Sequence, residues 1–225
     1  VVTNKKEEQQ KFTSFIDLFN KNVISYSELV QNTTALKYIL SRAIKKLQII
    51  RGANSNAGGL IVASSVTHAN DIHKLMIEHF NQDAIVVTHK QVNATDMINS
   101  YRNSQQAWII SVGMISEGTD IPRLQVCCHL SKVKTELYFR QVLGRILRIT
   151  RTSNEQAWLY TFSEPSLSDY SYRLNKEVPD QKIITNEYFS SRSKIVQKGK
   201  TGVLNNHYEY ETEEDSPLSL SDGNI

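Results

Sequence analysis

Between Gly59 and Phe162 the chain alternates short apolar runs with amphipathic stretches, and this alternation constrains its fold more than any other feature. Leu60–Ala63, Ala84–Thr88, Trp108–Val112, Val126–Leu130 and Gln156–Phe162 have the length and residue types of strands. The intervening residues 68–80, 96–103 and 135–147 space their apolar side chains by three and four, as helices do. A strand, a helix and another strand in succession build a parallel sheet flanked by helices. Runs such as Leu60-Ile61-Val62 and Trp108-Ile109-Ile110 are apolar at consecutive positions, so both faces of the sheet must be covered. The expectation is an α/β fold: an open parallel sheet of about five strands with helices on both faces.

Ahead of the sheet, Phe12, Phe15, Ile16 and Phe19 predict a short helix over residues 7–20. Leu29, Val30, Leu36, Ile39, Leu40, Ile44, Leu47 and Ile50 predict a longer one, opened by Ser27 and Glu28 and broken at Gly52. Residues 53–59 read as a loop. After Glu164-Pro165 the periodicity fades into a cationic stretch holding Arg192, Lys194, Lys198 and Lys200. The expected divisions are an N-terminal helical segment (1–25), the α/β domain (26–163), a basic extension (164–208) and an acidic tail or linker (209–225).

Charge follows those divisions. The 225 residues carry a net +3, but from Glu209 onward there are six acidic residues and no basic one, which leaves residues 1–208 with 26 basic against 17 acidic, a net +9. Such a surplus suits a polyanionic partner. No apolar stretch approaches the roughly 18 residues of a membrane span. Cys127 and Cys128 are adjacent on a strand, so their side chains point to opposite faces and form neither an easy disulfide nor a metal pair. A reducing, cytoplasmic setting is the expectation. The start Val1-Val2-Thr3, with no basic-then-apolar leader, reads as a piece cut from a longer polypeptide.

Chemistry concentrates in two segments. In Gln141-Val142-Leu143-Gly144-Arg145-Ile146-Leu147-Arg148, a helix brings Gln141, Arg145 and Arg148 to one face. Gly144 costs such a helix about 1 kcal/mol, which points to a close approach there. Two guanidiniums and an amide suit a polyphosphate, and a solvated basic face is the plain alternative. The second segment, residues 113–122, leaves the C-terminal end of a buried strand, where open α/β sheets place ligands. In it Gly118 permits close backbone approach, Asp120 accepts hydrogen bonds and Pro122 stiffens the exit. A tight turn capped by Asp120 is the alternative.

Together these segments resemble the second, C-terminal RecA-like domain of superfamily 2 DEAD/DEAH-type helicases and translocases. Leu60 to Ser65 is similar to motif IV, Glu117 to Pro122 to motif V, and Gln141 to Arg148 to the motif VI pattern QxxGRxxR. The resemblance spans roughly residues 36–162 and implies a RecA-like sheet. Tyr138-Phe139-Arg140 ahead of Gln141 is closest in flavour to bacterial repair helicases and restriction-enzyme motor subunits, which implies DNA as partner, with RNA possible.

The resemblance further implies roles. Arg148 would be an arginine finger toward ATP, with Arg145 its phosphate-binding partner and Gln141 lining the cleft. Glu117, Gly118, Asp120 and Gly144 would lie near the nucleotide. Ser64, Ser65, Thr88, Gly113 and Met114 would lie along the nucleic-acid backbone, the two serines donating hydroxyls to phosphates. Val112 stands where many relatives carry a backbone-gripping Thr, which leaves Ser111 or a main-chain amide to make that contact.

No GxxxxGK[ST] loop occurs, and Gly199-Lys200-Thr201 has Lys194 where its first glycine belongs. ATP and Mg²⁺ would therefore be held mainly by a separate N-terminal RecA-like domain of the same polypeptide, and this chain alone would be inactive as an ATPase. A non-catalytic nucleic-acid-binding module that retains the helicase fold is the alternative reading. No histidine pair has ligand spacing, so no metal site is expected, and Trp108 and Cys128-His129 are expected in the core.

Overall fold

The computed structural model describes residues 2–3, 9–10, 19–21, 23–113, 121–146, 157–177 and 220–221. Residues Ile24–Phe162 form one compact unit. Its strands are β1 (Gly58–Ala63), β2 (Ala84–Thr88), β3 (Trp108–Val112), β4 (Leu124–Leu130) and β5 (Trp158–Tyr160), and its helices are α1 (Tyr26–Leu29), α2 (Thr33–Ala53), α3 (Val66–Phe80), α4 (Ala94–Arg102) and α5 (Glu136–Ile146).

The five strands run parallel in the order β2-β3-β1-β4-β5. The chain crosses from β1 over to β2 and then turns back, so right-handed crossovers put α3 on one face and α4 and α5 on the other. α2 packs against α3 and β4. The sheet is thus covered on both faces, as its doubly apolar strands require, and β1, β3 and β4 are buried along their whole length. Cys127 and Cys128 pair in register with Leu60 and Ile61, which places them on opposite faces, buried and free.

Two differences lie at the entrance. One helix was expected from Ser27, but two form. Ser25 and Glu28 close a capping box around α1, with Ser25 N–H donating to the Glu28 carboxylate at 2.8 Å and Glu28 N–H to Ser25 Oγ at 3.2 Å. The chain turns at Val30 and starts again where Asn32 Oδ1 accepts from Thr34 and Ala35 N–H at 3.0 and 3.1 Å. α2 then runs through Gly52 to Ala53.

The second difference is Gly58-Gly59, expected in a loop and found in β1. A Cβ on Gly59 would come within 2.3 Å of the Trp108 ring, and one on Gly58 within 2.6 Å of Tyr101 Oη. These glycines are strand residues stripped of side chains to admit two aromatic rings. Around them Arg123, nearly buried, donates to the carbonyls of Tyr101, Asn56 and Gln106 and stacks 4.1 Å from the Tyr101 ring centroid. It ties the loops at the N-terminal edge of the sheet together.

The other unit comprises Val1–Val23 and Ser163–Ile225. In it Val2–Thr3 pairs antiparallel with Gln9–Gln10 and parallel with Leu220–Ser221. Gln9–Gln10 is therefore extended where the helix over residues 7–20 was expected, and of the rest of that span residues 19–20 are described, as helix. α6 (Pro165–Glu177) forms where periodicity faded. Its start is capped by Glu164, whose Oε2 accepts from Ser166 and Leu167 N–H at 2.9 and 3.1 Å, with Pro165 at the first helical position. The remainder of the basic extension, residues 178–208, lies outside the described residues. Among the described residues no helix is long and apolar enough to cross a membrane.

Candidate functional site

Parallel strands end on the same edge, so the topology gathers Ser64-Ser65 after β1, Thr88 ending β2, Gly113 after β3 and Ser131 after β4 at the C-terminal edge of the sheet. Gly113, at the end of β3, has φ +70°, the one glycine among the described residues in the left-handed region. Thr88 is buried and its N–H donates to Gln91 Oε1 at 2.9 Å, so it offers little surface. Met114, Glu117, Gly118 and Asp120 lie outside the described residues.

The two serines differ. Ser65 is exposed and caps α3, its Oγ accepting from His68 N–H at 3.1 Å. Ser64 is half-buried, and both its groups meet the His68 ring: N–H to Nδ1 at 3.1 Å, Oγ to Nδ1 at 2.8 Å. A main-chain N–H only donates, so Nδ1 presents its lone pair and the Ser64 hydroxyl also donates to it. Of the two hydroxyls expected to donate to phosphate, Ser65 keeps its hydrogen and Ser64 has committed it. His68 itself is buried, and burial lowers its pKa, against the opposing pull of the Val30 carbonyl and Asp71.

On α5, Gln141 and Arg145 stand one turn apart and are half-buried, while Val142 and Leu143 are buried in the core. Arg148 lies outside the described residues. Gly144 is exposed, and no atom lies within 4 Å of a Cβ built there, so the close approach expected at this glycine is not made by the described residues of this chain. Arg145 lines a shallow pocket with Tyr138, Val142, Gly113, Ser111, Leu60 and Val62, which brings the end of β3 against α5. The Ser111 hydroxyl borders this pocket fully buried and without a hydrogen-bond partner. Ser111, which with a main-chain amide is the expected substitute for the missing Thr, is thus buried rather than presented at the edge.

Of the residues that gave the DNA flavour, Phe139 is buried and Arg140 pairs with Glu136 at 3.0 Å. Both serve packing and local charge balance. Lys132 and Lys134 remain exposed beside the edge. His129 is wholly buried, edge-on to Tyr138 and Phe139 at 6.0 Å, and Trp108 is core as expected. The guanidinium of Arg145 and the amide of Gln141 fit phosphate oxygens. Among the described residues no group of three His, Cys, Asp or Glu side chains is placed to hold a metal ion.

Comparison with known proteins agrees with this layout. The model of the helicase conserved C-terminal domain matches residues 39–150. An uncharacterized protein of Mycobacterium leprae is 30% identical over 139 residues, which are 62% of this chain and 23% of that protein. An uncharacterized protein of Mycobacterium tuberculosis is 30% identical over 129 residues, 57% of this chain and 21% of that protein. The chain spans less than a quarter of the length of these relatives. Among solved structures, Saccharomyces cerevisiae Dbp5 bound to RNA and ADP BeF3 superposes with a TM-score of 0.50 at 14% identity, covering 68% of this chain and 38% of that one. That likeness is one of fold: a RecA-like sheet.

Proposed function

Residues 39–150 are a helicase conserved C-terminal domain, and from that premise we propose that this chain is the second motor domain of a nucleic-acid-dependent ATPase of superfamily 2. The observation that carries the reading is the set of polar groups on α5: Gln141 and Arg145 on one stripe, with open space over Gly144 between them. A helix gives up about 1 kcal/mol to place glycine there, and the open surface is what a second domain closing over a nucleotide requires.

In this reading ATP and Mg²⁺ are held mainly by an N-terminal RecA-like domain, and ATP supplies the phosphoanhydride to be cleaved. Arg145 and Arg148 project across the interface onto phosphate oxygens, Arg148 as the arginine finger, with Gln141 lining the cleft. Such a finger is worth about 10³ to 10⁵ in rate. Glu117, Gly118 and Asp120 border the nucleotide. The edge bearing Ser65 and Gly113 grips a nucleic-acid strand, with Lys132 and Lys134 drawing its phosphates by charge. DNA is the track that the repair-helicase flavour favours. Alternating grip on that track, timed by domain closure, produces movement.

The test is nucleotide-dependent grip. In a polypeptide that also carries the ATP site, strand affinity is expected to change severalfold between ATP-like and ADP states, and Arg145→Ala is expected to abolish the difference. Strand binding indifferent to nucleotide would instead make this domain a binding module that retained the helicase fold.

A further inference from the structure

The C-terminal edge of β1 presents two adjacent hydroxyls with opposite hydrogen-bonding character, and one buried histidine sets both. His68 N–H donates to Ser65 Oγ at 3.1 Å, which occupies an acceptor site of Ser65 and leaves its hydrogen free to be donated. The ring of the same residue takes the Ser64 N–H at 3.1 Å and the Ser64 hydroxyl at 2.8 Å, both on Nδ1. The ring cannot easily turn to offer Nε2 instead. His68 is 4% exposed, and its Nε2 is enclosed without a hydrogen-bond partner. Ser64 is half-buried, and with its hydrogen on Nδ1 only oxygen lone pairs remain to meet a ligand.

We infer that His68 is a positioning residue that fixes Ser64 as a hydrogen-bond acceptor beside the donor Ser65, so that this edge recognises a ribose 2′-hydroxyl next to a backbone phosphate. The chemistry follows from the ligand. A deoxyribose-phosphate backbone carries acceptors and no donor, so Ser65 can serve a phosphate of either nucleic acid while Ser64 faces DNA with lone pairs against oxygen. A ribose backbone supplies the missing donor at every sugar, and the 2′-hydroxyl is the group by which proteins tell RNA from DNA. The inference rests on the proposed nucleic-acid track and sharpens it: the sugar contact here favours RNA, against the DNA preference that Tyr138-Phe139-Arg140 had suggested.

The experiment measures binding of the 225-residue chain to three fluorescent strands with one base sequence: oligouridylate, oligodeoxyuridylate and 2′-O-methyl oligouridylate. The methylated sugar keeps its oxygen and loses the donor. One net hydrogen bond corresponds to about a threefold to tenfold preference, so oligouridylate is expected to bind that much more tightly than either other strand. Ser64→Ala, which removes the acceptor altogether, is expected to equalise the three strands. His68→Leu, which releases the Ser64 hydrogen, is expected to equalise them while deoxy binding strengthens, and His68→Asn, which returns an acceptor near Nδ1, to restore the preference. Should a His68 variant fail to fold, the wild-type ratio and Ser64→Ala decide the matter. Equal binding of all three strands by the wild-type chain overturns the inference and leaves the nucleic-acid reading standing. No binding to any strand overturns that reading itself.

Discussion

Trp108 packs its ring against Gly59, with the nearest ring atom 2.3 Å from where a Cβ would stand. Both residues are in the buried centre of the sheet, on the neighbouring strands β3 and β1, and pair in register. The ring fills the volume that any other residue at position 59 would need.

Gly59→Ala is therefore expected to destabilise the domain by about 1–3 kcal/mol through overpacking. Urea unfolding should show a lower midpoint with an unchanged slope. An unchanged midpoint would mean that Trp108 has room to move aside.

Gly144 predicts the opposite sign. Its Cβ direction is open, so Gly144→Ala should stabilise α5 by up to about 1 kcal/mol. If a second domain closes over this glycine, the same variant lowers ATP turnover in the polypeptide that carries both domains. A more stable and equally active variant would show that nothing docks on Gly144.

Acid should weaken the fold through His129. Burial lowers its pKa from 6.5 to about 4 in the folded state. Between those values the unfolded chain binds the extra proton and the folded one does not. The contribution of His129 is then full above pH 6.5 and falls as pH drops toward 4, by a total on the order of 3 kcal/mol. His68, lowered for the same reason, adds in the same direction. His129→Phe should flatten this part of a stability-against-pH curve, and a curve unaltered by the substitution would remove His129 as its source.

Arg123 bridges three carbonyls, those of Tyr101 in the last turn of α4 and of Asn56 and Gln106 in loops before β1 and β3. Arg123→Met keeps much of the stem and leaves those carbonyls without their donor, at a cost of about 1–3 kcal/mol for each one that stays buried. A Tm lowered by several degrees is expected, with no direct effect on strand binding at the opposite edge. A Tm within a degree of the wild type would show that water replaces the guanidinium.

The sequence was most legible where local pattern and burial agree. Ala84–Thr88 and Trp108–Val112 were bounded correctly because polar or small residues stop each apolar run. Gly58-Gly59 was hidden because the reason for two glycines in a strand is an aromatic pair 40 to 50 residues away. The break between α1 and α2 was signalled by Asn32, a good N-cap overlooked inside an apolar stripe. α6 was signalled by Glu164-Pro165, a cap followed by proline at the first helical position. At the site, spacing placed Gln141 and Arg145 one turn apart on a helix, and the end of the first apolar run placed Ser64-Ser65 after a strand. The role of His68 was not, since it depends on a ring folding back four residues onto Ser64, which the sequence presents as one more unpaired histidine.

The proposed motor role rests on arginines from this chain completing an ATP site held by another domain. The direct measurement is nucleic-acid-stimulated ATP turnover, with and without Arg148→Ala, in the polypeptide that includes the N-terminal RecA-like domain. Loss of at least ~10³ in kcat with nucleotide binding largely retained is the expected result. A loss of tenfold or less would contradict it and take Arg148 out of the reaction.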